Sequence, residues 1–132
     1  MRVLAPYPDA ELVMLDLLSS VAAGVTHTGD ALQAPTVQVQ RIGGSDDGVT
    51  DRPRVQVTCY GATRAEAWQL AEETRQIVLA AAGTAVSGSY VTGVLIDSTR
   101  TVTPAQQLPE RNPDLRVVSA AYELAMRRPW AR

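Results

Sequence analysis

Two stretches of the chain alternate apolar and polar residues with a period of two, and two others repeat apolar residues at helical spacing. The first alternation is T-V-Q-V-Q-R-I, with Val37 and Val39 on one side and Gln38 and Gln40 on the other. The second is R-V-Q-V-T-C-Y, with Val55, Val57 and Cys59 opposed to Arg54, Gln56, Thr58 and Tyr60. One dry face and one wet face predict strands of an antiparallel sheet. The first helical stretch runs over residues 9–23. Asp9 is placed to accept an orphan N–H of the first turn, Glu11 favours the positive end of the dipole, and Gly24 follows as terminator. Met14, Leu17, Leu18, Val21 and Val25 make its stripe, while Leu12 and Leu15 lie off it, so the helix is apolar around more of its girth than one sheet contact requires. Two readings fit that girth equally: a helix wedged between sheet and loop, or one that also meets another subunit. The second helix opens on the capping box T-R-A-E at Thr63 and Glu66, carries a stripe of Ala67, Leu70, Ala71, Thr74, Ile77, Val78 and Ala81, and ends at Gly83. Trp68 beside that stripe reads as partly buried core before interface anchor.

The remaining segments follow from turn chemistry. Residues 26–35 read as loop, and so do residues 43–53, G-G-S-D-D-G-V-T-D-R-P, a connection longer than an ordinary hairpin turn. Beyond the second helix, residues 91–96 and 99–103 read as two strands joined by a tight turn at Asp97 and Ser98. Residues 104–113 hold three prolines, which a central strand does not accept. A final strand spans residues 115–126 and is long enough to bend at 119–121 or to reach past the domain. The expectation is a single α+β domain over residues 1–132. Its sheet is mostly antiparallel with two helices packed on one face, in the order α-β-β-α-β-β-β.

Composition narrows the chemistry. The chain has 132 residues, an apolar fraction of 45%, no Phe and a net charge of −2. Val, Ala and Leu must fill the core, and there is no basic excess with which to grip nucleic acid. All twelve basic residues are Arg, a bias expected of a GC-rich coding sequence, although Arg also suits interface ion pairs. Cys59 stands alone and the single His27 is remote, so neither a disulfide nor a Cys–His pair is expected. The start of the chain does not read as a signal peptide and no run is long enough for a membrane span, which predicts a soluble protein made in a reducing cytoplasm.

Reactive motifs are missing. Gly43, Gly44 and Gly48 have the wrong spacing for a dinucleotide loop, and a Walker loop has no Lys to complete it. The acidic run S-D-D-G-V-T-D lacks the ligand alternation of a calcium loop and reads as a solvated tip. The expectation is therefore no catalytic residue, no metal and no cofactor.

The stretch D-R-P-R-V-Q-V-T-C-Y-G-A-T-R-A-E-A-W-Q-L-A-E-E-T-R-Q-I-V-L-A-A turns from a strand directly into a capped helix. Together with P-D-A-E-L-V-M-L-D-L-L near the start, V-T-G-V-L-I-D-S-T-R-T-V-T-P and the long last strand, it resembles the tail terminator proteins of long-tailed bacteriophages over nearly the whole chain. The resemblance implies a non-enzymatic virion protein of the tail and neck, assembled in the host bacterial cytoplasm. It implies a homo-hexameric ring that caps the tail tube, stops its polymerisation and offers a head-joining surface. The implied partners are the major tail tube protein and the head-completion or connector proteins. Genome DNA would pass through the ring without specific binding, and no membrane is involved. Candidate subunit or tube contacts are Leu12 and Leu15 on the first helix, Asp46, Asp47, Asp51 and Arg52 in the 43–53 segment, Arg111 in the proline-rich link, and Arg127, Arg128 and Trp130 at the end. Two alternatives stand beside this reading: another neck, head-completion or minor tail protein, and a small α/β ligand-binding module.

Overall fold

A computed structural model describes residues 5–26 and 33–127. Its elements follow in the order α1 (Ala10–Leu17), β1 (Ala23–Val25), β2 (Thr36–Asp46), β3 (Thr50–Gly61), α2 (Arg64–Ala80), β4 (Thr84–Val86), β5 (Val94–Leu108) and β6 (Arg116–Arg127). The strands form one sheet in the order β1-β2-β3-β6-β5-β4. Every pairing is antiparallel except β1 with β2, so the sheet is mixed. The α+β class and the two helices agree with the sequence reading, while the element order is richer by one strand before α2.

Both helices lie on one side of the sheet. Ala10, Val13 and Met14 of α1 and Ala67, Leu70, Ala71 and Val78 of α2 share a core with Val37, Val39, Val55, Val57, Cys59, Val118, Ala120, Tyr122, Leu124 and Met126. The strand members alternate, as a strand with one face on a core must. Among the described residues, the opposite side has no helix over it and holds a small cluster around Tyr60, Leu115 and Val117. β3 and β6 are the two central strands, and on its uncovered side β6 carries the small residues Ser119, Ala121 and Ala125, each at most 6% exposed, together with Val117 and Glu123.

Both helix starts form as expected. The Asp9 carboxylate accepts the N–H groups of Glu11 and Leu12 at 3.0 and 3.2 Å. Thr63 Oγ1 accepts from Glu66 N–H at 3.1 Å, and Glu66 Oε1 reaches back to Ala62 N–H at 2.9 Å. α1 is shorter than the stripe predicted, because the chain leaves the helix after Leu17 and pairs as β1. Gly24 therefore does not end a helix. It sits in β1, where a Cβ would stand 2.7 Å from Leu15 Cδ2, so its role is clearance for the helix above.

Two expected loops are strands. Residues 43–46 and 50–53 continue the β2–β3 ladder from Gly43 opposite Arg54 to Asp46 opposite Asp51, leaving a turn of residues 47–49. A bulge between Arg41 and Gly43, with Gly43 and Gly44 at φ 137° and 119°, absorbs the irregularity. The turn at Asp97 and Ser98 is likewise a register shift inside β5, and 91–96 with 99–103 belong largely to that one strand. Pro104 is accommodated in β5 at the third of its register shifts, between Thr103 and Gln106. That irregularity falls opposite Ala121 and Ser119, where the sequence suggested a bend in the last strand.

Candidate assembly surfaces

Three surfaces collect the polar chemistry. The first is a groove of about 540 Å³ between the start of α1 and the β2–β3 hairpin, lined by Tyr7, Asp9, Glu11, Arg41, Asp46 and Asp51 among others. The bulge in β2 turns the Arg41 side chain toward Asp51, which is only 2% exposed. Arg41 Nη1 and Nη2 donate to its two carboxylate oxygens at 2.8 and 2.9 Å. This bidentate bond, followed in weight by opposing desolvation and then by the carboxylate's charge, raises the guanidinium pKa above its ordinary value. The backbone N–H of Arg41 donates to Glu11 Oε2 at 2.9 Å, and the Tyr7 hydroxyl reaches Asp46 at 3.5 Å.

The second surface is where the β4–β5 connection meets α1. Asp16, 9% exposed, accepts the backbone N–H groups of Tyr90 and Val91 at 2.9 and 2.8 Å. A Cβ on Gly88 would stand 2.5 Å from Asp16 Cγ, so a glycine is what lets the connection approach the carboxylate. A cleft of about 190 Å³ beside it is lined by Leu15, Ser19, Gly24 and Tyr90 among others.

The third is the side of the sheet without helices. Its middle is a carpet of amides and hydroxyls: Gln56 Nε2 donates to Ser119 Oγ at 2.9 Å and the Tyr60 hydroxyl donates to Gln38 at 3.1 Å. Toward the hairpin end, Glu123 takes Arg100 at 3.0 Å and Arg54 at 3.6 Å, and the bond to Arg100 chiefly holds its carboxyl below the usual range.

The sequence-derived candidates fall into separate places. Asp46, Asp47, Asp51, Arg52 and Arg127 meet at one end of the sheet, since Thr50 pairs with Arg127 and Asp51 with Met126. Within that group Asp47 closes the turn by accepting Val49 and Thr50 N–H, its oxygens also lie 3.5 Å from Arg52, and Arg127 bonds Asp97 at 3.0 Å. Asp51, expected as a contact acid, is enclosed with Arg41 instead. Arg111 is exposed in the β5–β6 connection at the opposite end. Leu12 and Leu15 are partly buried, Leu15 against the core. Arg128 and Trp130 lie outside the described residues, as does His27. Sequence reasoning missed Arg41, Asp16 and the Arg100–Glu123–Arg54 group. Asp16 carried a signal, as the one charge inside the apolar run L-V-M-L-D-L-L.

Cys59 is buried, and desolvation pushes its thiol up to about 11, leaving essentially no thiolate at neutral pH. Trp68 packs partly buried against the core, in line with the sequence reading, and Arg64 lies 5.8 Å over its ring. Among the described residues, no three His, Cys, Asp or Glu side chains are grouped to hold a metal ion, and no helix is long and apolar enough to cross a membrane.

A family model described as phage tail termination protein matches residues 6–131. The chain belongs to this family. The phage tail termination proteins are structural components and not a class of enzymes, which is the reading that the resemblance in the sequence implied. No curated protein matches the chain. Among solved structures, a chain of the virion of a native gene transfer agent particle is similar at 16% identity with a TM-score of 0.47, over 90% of this chain and 86% of that one.

Proposed function

We propose that the protein closes the end of a phage tail tube as a ring of identical subunits, stops the tube from growing and presents the surface to which the head joins. The observation that carries this reading is the family match, which runs through every described element from α1 to β6. The fold suits the task. A ring subunit needs two unlike lateral surfaces and two unlike axial ones. The margins of the sheet are unlike, and its two ends are unlike as well. One end carries the 47–49 turn with Asp46, Asp47 and Arg52, and the other carries the 109–115 connection with Arg111. We assign the axial contacts, to the tube protein on one side and to head-completion proteins on the other, to these two ends. Six subunits, as the sequence resemblance implies, would each bring a net charge of −2, so DNA would traverse the ring without being held by it.

Deleting the gene and imaging the particles tests the reading. Tails of uncontrolled length, or tails of normal form that fail to join heads, are expected. Particles with normal tails joined to heads would refute it.

A further inference from the structure

Among the described residues, each margin of the sheet has a strand partner for only three residues. β1 pairs with β2 at residues 36–38, and β4 pairs with β5 at Val94, Leu95 and Ile96. Among the described residues, nothing pairs with the outer edge of β2 beyond Gln38 or with that of β5 beyond Ile96. Unpaired edges of this length are templates for another strand, and proteins ordinarily shorten or cover them.

The two bare stretches stand at the same height in the sheet. Following the ladders across, Arg41 stands level with Val55, Tyr122 and Thr101, and Gly43 with Arg54, Glu123 and Arg100. Gln38, the last residue under β1, stands level with Gln106, while Asp46, the end of β2, stands level with Ile96, the last residue under β4. Among the described residues, the short outer strands thus bracket two equal stretches without a strand partner, residues 39–45 on one margin and residues 97–103 on the other. The register shift in β5 between Thr103 and Gln106 comes at the height where a neighbour's β1 would stand.

We propose that residues 97–103 of one copy pair with residues 39–45 of a second copy, in antiparallel sense, and that this joint repeats from subunit to subunit. The direction follows from the sheet itself. β2, β3, β6 and β5 alternate, so β5 runs opposite to β2, and a neighbour in the same orientation continues the alternation. The joint is between unlike margins, hence heterologous, and every copy has one of each. Main-chain bonds supply the contact, as in other strand additions. The Arg41 N–H shows that this edge is competent: it points away from β3 and is met by the Glu11 carboxylate. Glu11 holds the place in the free subunit and yields it on pairing. This inference rests on the ring reading above and specifies its lateral joint.

Two measurements on purified particles test it. A photoreactive benzophenone amino acid is placed at exposed Thr103, and the crosslinked product is digested and sequenced by mass spectrometry. Amide hydrogen exchange is compared between the free chain and the particle. The expected result is a dimer whose crosslink falls in residues 39–45, with exchange slowed at least tenfold in both 39–45 and 97–103. A crosslink to another polypeptide, to another segment of a second copy, or none at all with exchange unchanged in both stretches, would overturn the joint. Absence of the chain from the particles would instead strike the reading of its function.

Discussion

Arg41 and Asp51 stand ten positions apart in the chain and meet side chain to side chain across the β2–β3 hairpin, guanidinium fork to carboxylate. The pairing exists only because the hairpin is longer than its sequence suggests and because the bulge at residues 41–43 re-aims the arginine. Asp51 is enclosed while Arg41 is 40% exposed, so the acid depends on the base more than the reverse.

Arg41→Ala should therefore cost about 2–3 kcal/mol, below the full cost of orphaning a buried charge because solvent reaches one side of the pair. The combined change Arg41→Ala with Asp51→Asn should recover part of that loss. Urea unfolding of the three chains measures both, and an additive double variant would contradict the coupling.

Asp16→Ala should release the β4–β5 connection from α1. Two N–H groups lose their acceptor, which is worth about 2–3 kcal/mol if neither finds water. Limited proteolysis is expected to cut within residues 87–93 in the variant and to spare them in the parent chain. Gly88→Ala should act in the same direction, since its methyl would press on the carboxylate.

Alkaline pH should unfold the protein earlier than its arginine-only cation set would suggest. Desolvation raises the Cys59 thiol from 9.0 to about 11 and the Tyr122 phenol from 10.0 to about 12. In both cases the unfolded chain loses its proton first, so stability is intact below pH 9 and falls as pH rises through 9–11 for Cys59 and 10–12 for Tyr122. Each contributes on the order of 2 kcal/mol to that decline. Cys59→Ala and Tyr122→Phe should each flatten the pH dependence measured by denaturant midpoint, whatever they do to stability at neutral pH. The same burial predicts that a thiol reagent at pH 8 labels Cys59 only as fast as the chain unfolds.

Gly61→Ala should disturb the entry to α2. A Cβ there would lie 2.4 Å from the backbone nitrogen of Ala67, and neither partner is a movable side-chain end. The expected loss is about 2 kcal/mol or more, in the range of strained or overpacked substitutions, seen as a fall of several degrees in Tm with the helix content retained.

The parts of the fold that were legible in the sequence are those whose signal is local. α2 announces itself through Thr63 and Glu66, and its buried stripe is the one the spacing gives. The alternating Val residues of β2 and β3 point to the core as expected. What the sequence hid depends on neighbours. Gly43, Gly44 and Ser45 have loop composition and become strand because Pro53, Arg54 and Arg52 stand opposite them. β1 and β4 are too short for any period to show and exist because longer strands offer an edge. The candidate residues suffered in the same way. Asp46, Asp47 and Arg52 do gather at one tip, but Asp51 could be told from them only by knowing which face of β3 it occupies.

The side of the sheet that bears no helix is surfaced with amide and hydroxyl groups over a floor of serine and alanine. Apart from Leu95 near the β4 margin, that wide flank offers another copy little oily area to stick to by accident. In the joint proposed above, ground and rim would divide the labour: the narrow rims would bring copies together, and the broad flat ground would take no part.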